Sequence, residues 1–199
     1  MTYLNNENMP MLMGVLAAAT IILIAVILYA RYLYKTADNR KVQRIIKKYS
    51  GAYVHEVIFS DGIGGYFFIE YLLRLPARII ALNIHKGEGY VFGGETIELW
   101  TQVEKNKSIK FKNPLEEVNL FVLQVTGQLK FDGIMARVLF DSRNKFPKGL
   151  PEGVLQLASF KKSMIAWAGE APAEATNKAW EELSALLAES KESYHKGTG

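Results

Sequence analysis

The sequence predicts an α/β (α+β) domain carried behind a single N-terminal transmembrane helix, and three observations predict it. Residues 11–30 (MLMGVLAAATIILIAVILYA) run for twenty positions without a charge. Residues 67–75 and 79–84 are apolar runs of strand length, rich in aromatic and β-branched side chains, with Pro76 at a turn between them. Further along, 115–129 and 175–190 carry apolar residues at helical spacing. At 199 residues and 49% hydrophobic, the chain suits one anchor plus one ordinary domain with a real core.

The first ten residues are polar, with Glu7 and no Lys or Arg. A helix over 11–30 is roughly 30 Å long at 1.5 Å per residue, which spans a bilayer core. A cleaved signal peptide fits poorly, because the leading residues lack positive charge and Tyr29-Ala30-Arg31 is no small-residue cleavage site. Between 31 and 48 lie seven basic residues (Arg31, Lys35, Arg40, Lys41, Arg44, Lys47 and Lys48) against Asp38 alone. From 49 onward 17 basic and 18 acidic residues remain, so the basicity sits beside the apolar segment. This distribution predicts a membrane-surface contact and, by the positive-inside rule, an outer N-terminus with the domain in the cytoplasm. Tyr29, Tyr32 and Tyr34 fall at the expected interface. Val42, Ile45, Ile46 and Tyr49 then follow the i, i+3, i+4, i+7 pattern of an amphipathic helix.

A strand over 53–59 ends in Ser60-Asp61-Gly62, and the glycines at 62, 64 and 65 suit a hairpin loop better than a phosphate cradle, since no helix start follows. Short strands are expected at 90–92 and 97–103, the latter alternating Ile97, Leu99, Thr101, Val103 with Glu98, Trp100, Gln102. A charged tip at 104–108 leads into a returning strand with Ile109 and Phe111. Asn113-Pro114-Leu115-Glu116 is a helix start, and the helix behind it is expected to bury Leu115, Val118, Val122, Val125 and Leu129. Residues 134–140 read as a buried strand. The loop 141–153 holds Arg143, Lys145 and Lys148; it could take a phosphate, but a solvated loop is the safer reading. Helices are expected over 154–168 and 175–190, the second with Ala179, Trp180, Leu183 and Leu187 on one stripe, followed by a frayed 191–199.

The central strand pair holds residues that a buried strand does not carry without reason. Glu70 lies in the first run, and Asn83 and His85, two apart, share a face of the second. A carboxylate inside an apolar strand costs several kcal/mol unless paired, metal-bound or facing a cleft. Other chemistries are poorly served. There is no cysteine, hence no disulfide or thiolate metal site. His55, His85 and His195 are scattered without zinc-site spacing, and there is no GxSxG elbow or Walker lysine.

The order of these elements, with FGG, WTQ, KNPLEE and LFDSRNKFPKGLP at their intervals, resembles the nuclease-related domain (NERD) family of the PD-(D/E)xK restriction-endonuclease-like superfamily. The likeness covers roughly 38–155 and implies a restriction-endonuclease-like mixed sheet flanked by helices. Together with the charge and hydropathy pattern, the expected layout is a short extracytoplasmic N-terminus (1–10), a transmembrane helix (11–30), a basic juxtamembrane amphipathic helix (31–50), a domain that resembles NERD (51–168) and a C-terminal helix and tail (169–199). In that family two carboxylates hold Mg²⁺ and a lysine orients or charges the nucleophile. The resemblance places Glu70 on the family's aspartate position, Asn83 on its glutamate, His85 on its lysine and Asn39 where a helix glutamate falls; Glu117 and Phe121 take later Gln and His positions. Asn83 gives no second carboxylate, and His85 does not replace a permanently charged lysine. Glu70 is left as a weak metal ligand.

The expectation is a single-pass protein of the bacterial inner membrane whose domain no longer cuts and serves as a structural or binding subunit with other proteins. The alternative is a membrane-tethered nuclease, using Mg²⁺ or Mn²⁺ and rebuilt around Glu70 and His85; otherwise no cofactor is expected. Binding of nucleic acid without cleavage is not favoured, because the domain is close to neutral.

Overall fold

The computed structural model describes residues 9–197, with side chains for all of these but 9–12, 34, 35 and 197. Most of the expected 1–10 segment, and the side chains of Tyr34 and Lys35, therefore lie outside the described residues. The chain divides into two compact units, 1–41 and 42–199.

Helix α1 is a single element, Met9–Tyr49. Among the described residues, its part within the first unit buries no apolar side chain: Met13, Ile21, Ile22 and Leu28 are all more than half exposed. One stretch among the described residues is long and apolar enough to cross a membrane. Arg31 and Lys41 are exposed, and Arg40 folds back on α1 to Thr36 Oγ1 (2.6 Å) and the Leu33 carbonyl (2.9 Å).

In the second unit, the last two turns of α1 bury Val42, Ile45 and Ile46 and leave Arg44, Lys47 and Lys48 exposed, as the spacing predicts. Strands β1 (Ala52–Ser60), β2 (Tyr66–Arg74) and β3 (Ile79–His85) form an antiparallel meander. Strands β7 (Ile134–Phe140) and β9 (Val154–Gln156) extend it in parallel, giving a mixed sheet of order β1-β2-β3-β7-β9. Strands β4 (Gly89–Phe92), β5 (Leu99–Glu104), β6 (Lys107–Lys112) and β8 (Asn144–Lys145) build a second sheet of order β6-β5-β4-β8. Asn113 caps helix α2 (Pro114–Leu129) by accepting from the Leu115 amide, with Pro114 in the first turn.

Helices cover both faces of the larger sheet. Leu115, Val118, Phe121 and Val125 of α2 share one core with Leu72, Ile79 and Ala81, joined by Ala179 and Leu183 of α4 (Glu174–Gly197). Val42, Ile45 and Ile46 share the other with Leu73, Ile80 and Leu82 and with Phe160 and Met164 of α3 (Leu157–Ala168). Three expectations are corrected. Phe121, not Val122, is the fully buried middle of the α2 stripe, because the larger ring fills the space over β1 and β2 against Phe59 and Phe67. Residues 154–156 are strand, since they pair with 138–140 of β7 before α3 begins. The last helix continues past 190 to Gly197, where Tyr194 packs edge-on against Tyr66 and Phe68.

The sheet also breaks its own alternation. Ile69 and Leu72, three apart, both pack into the α2 core, and on the neighbouring strand Val54 and Val57 do the same. Period-two alternation would send the members of each pair to opposite faces. The slip falls at Glu56 and Glu70, which lie opposite each other in the register (His55↔Tyr71, Val57↔Ile69). Glu56 takes the left-handed region at φ +58°, a conformation that costs a non-glycine residue about 1–2 kcal/mol.

Candidate functional site

The sheet forks where Glu70 and Asn83 meet. Pairing of β2 with β3 runs from Arg74↔Ile79 to Tyr71↔Leu82 and stops. Beyond that point β2 stays on β1 through Ile58↔Phe68, and β3 stays on β7 through His85↔Phe140. The gap is an open cleft of about 530 Å³, lined among others by Glu56, Phe68, Glu70, Asn83, His85 and Glu117. The structure thus brings together the three strand residues singled out from the sequence. Asn39 lies on α1 in the first unit.

A forked sheet leaves backbone donors and acceptors unpaired, and inside a cleft these must find other partners. Here side chains supply them. Asn83 Oδ1 accepts from the Glu70 amide at 2.7 Å, and Asn83 Nδ2 donates to the Phe68 carbonyl at 3.3 Å. Glu70 Oε2 accepts from the Ile84 amide at 3.2 Å, and Glu117 Oε1 from the Phe68 amide at 3.0 Å. Asn83 and Glu70 therefore each bond the main chain of the opposite strand, a reciprocal clasp at the crotch of the fork. Lys86 Nζ stands 3.9 Å from Glu70 Oε1.

His85 sits between Phe111 and Phe140, with both ring centroids at 4.6 Å, and its Nε2 is 3.5 Å from Gln102 Oε1. Burial lowers its pKa below the ordinary 6.5, while Gln102 and the Asp141 charge oppose the shift. The ring is therefore neutral at pH 7 and lacks the permanent charge of a lysine. Below 6.5 the unfolded chain takes up a proton that the folded chain resists, so this group's contribution to stability is full above 6.5 and is lost as pH falls through the folded value. Thermal melts from about pH 7 down to about 5 are expected to show a falling midpoint, and His85→Gln to flatten that part of the profile.

These donors do not fit a hard dication, which wants several free oxygens. One Glu70 oxygen and the Asn83 oxygen already hold amides, and His85 is packed between rings. Among the described residues no three His, Asp or Glu side chains are grouped as metal ligands. Glu56 is largely exposed, 3.9 Å from His55 Nδ1.

Behind His85 lies a buried polar network that sequence reasoning missed. Gln102, Asp141 and Asn144 are all at least nine-tenths buried. Gln102 Nε2 donates to the Glu88 carbonyl (2.7 Å) and Asn144 Oδ1 (3.2 Å); Asn144 Nδ2 donates to Asp141 Oδ1 (2.8 Å) and the Gly87 carbonyl (3.1 Å). Asp141 Oδ2 accepts from Arg143 at 2.6 Å, and Arg143 also reaches Glu88. The start of the 141–153 loop is thus interior structure rather than solvated chain, and Arg143 is engaged by carboxylates. The available signal was Gln102 on the face of Trp100, a polar residue at a core position. Likewise Asp61 Oδ1 accepts from the Ile63 (2.9 Å) and Gly65 (2.7 Å) amides, which fills the 61–65 loop with its own carboxylate.

Comparison of the chain with family models, with curated proteins and with solved structures finds no match.

Proposed function

We propose that this protein is a single-pass component of the bacterial inner membrane, N-terminus outside, whose cytoplasmic NERD-like domain has given up cutting and acts as a structural or binding subunit of a membrane-associated assembly. The anchoring half of this reading is supported by an apolar helix of membrane-crossing length and by the basic flank 31–48. The non-catalytic half is carried by one observation. The carboxylate and the amide at the family's two metal-holding positions are bonded to main-chain groups across the fork, so they serve the fold. At the third position a neutral, ring-stacked imidazole replaces the lysine. A subunit role, rather than a nucleic-acid groove, suits 17 basic against 18 acidic residues beyond 48.

The test incubates full-length protein in nanodiscs with plasmid and Mg²⁺ or Mn²⁺, beside Glu70→Ala. No cleavage above background is expected from either. Cleavage by the unmodified protein that Glu70→Ala abolishes would overturn the reading. For the assembly, mild detergent extraction from native membranes followed by sizing is expected to give a complex larger than the chain; a lone monomer contradicts it.

A further inference from the structure

We propose that the outer face of the four-stranded sheet docks onto the headgroup region of an anionic lipid bilayer. The inference rests on the anchoring half of the proposed function and not on the family resemblance. The register lays out the face: Lys145 pairs with Tyr90, Phe92 and Lys110 flank Thr101 on either side, and Lys112 pairs with Leu99. On the other side of the same strands Val91, Trp100 and Gln102 are buried, so the positions of this face point outward. Tyr90 and Leu99 are 48% and 50% exposed, the three lysines are exposed, and no residue paired on this face is acidic. Lys145 Nζ lies 5.6 Å from the centroid of the Tyr90 ring, so charge and ring are presented together.

Charge and shape select the occupant. Tyrosine and leucine enter the boundary between headgroups and acyl chains, while lysine stems lie along them and carry their ammonium groups to lipid phosphates. A nucleic acid would need a basic excess that the domain as a whole lacks. A bilayer crossed by the same chain is held at high effective concentration, so a face of modest affinity suffices.

The chain has no cysteine, so a single Thr101→Cys places one environment-sensitive dye on the face. Leu123→Cys, on an α2 position 71% exposed, is the control. Full-length protein is reconstituted into vesicles of phosphatidylcholine and phosphatidylglycerol in equal parts, with brominated acyl chains as quencher, and flotation first establishes anchoring. The dye at 101 is expected to be blue-shifted and quenched, and the dye at 123 to be neither. The quenching is expected to vanish in pure phosphatidylcholine and at high salt. Combined Lys110→Gln, Lys112→Gln and Lys145→Gln is expected to lower the docked-to-free ratio roughly five-fold per lysine, on the order of a hundred-fold in all. A protein that floats but shows no quenching at 101, or equal quenching at 101 and 123, overturns the proposal and leaves the anchor standing. Quenching that follows protein concentration (a second copy), or a dye shift produced by duplex DNA instead of anionic lipid, also overturns it. A protein that does not float overturns both readings.

Discussion

Asn83→Asp lowers the stability of the domain by about 2–4 kcal/mol, a drop of roughly 5–15 °C in the melting midpoint for a domain of this size. The substitution keeps the shape of the side chain and the acceptor for the Glu70 amide. It replaces the donor to the Phe68 carbonyl with a second oxygen, so two acceptors face each other across the fork. It also sets a new negative charge opposite the Glu70 carboxylate, and a partly buried like-charge pair is unfavourable. Circular-dichroism melts of the full-length protein in detergent measure the loss. A variant as stable as the parent at neutral pH would mean that the clasp does not hold the strands.

Gly93→Ala is expected to cost about 3 kcal/mol, at the upper end of what one added methyl does in a packed core. A Cβ at 93 would lie well inside van der Waals distance of the Trp100 indole. That indole is fully buried, stacks on Phe140 with centroids 6.0 Å apart and donates from Nε1 to the Gly94 carbonyl at 3.1 Å. The Gly94 and Glu95 carbonyls also accept from Asn113 Nδ2, so the turn is tied to the cap of α2. Displacing the ring therefore disturbs the Phe140–His85 stack and the start of α2 together. Trp100→Phe, with a smaller ring, should recover part of the loss when combined with Gly93→Ala. Strict additivity of the two substitutions in thermal melts would show that the clash is not what destabilises the variant.

Local chemistry made much of this fold legible. The Asn-Pro start of α2, the strand at 134–140 and the stripe Val42, Ile45, Ile46 each follow from capping or from period, signals that depend on few neighbours. What stayed hidden depends on partners distant in sequence. β8 and β9 are two and three residues long, and only β4 and β7 make them strands. The slip at Glu56 and Glu70 shows only once β1 lies beside β2, because Val54 and Val57 look like ordinary strand residues alone. The site was half legible. Glu70, Asn83 and His85 stood out as polar residues in apolar runs and do converge. Their bonding to main chain was not readable, since nothing in the sequence marks where β2 and β3 part.

The most direct test of the claim that these residues hold the fork is amide hydrogen exchange at Glu70 and Ile84, measured on full-length protein in nanodiscs with and without Mg²⁺. Both amides are bonded by side chains of the opposite strand, so slow exchange that Mg²⁺ leaves unchanged is the expected result. Rapid exchange at Ile84 once Mg²⁺ is added would show the Glu70 carboxylate leaving the backbone for the ion, and would contradict the account.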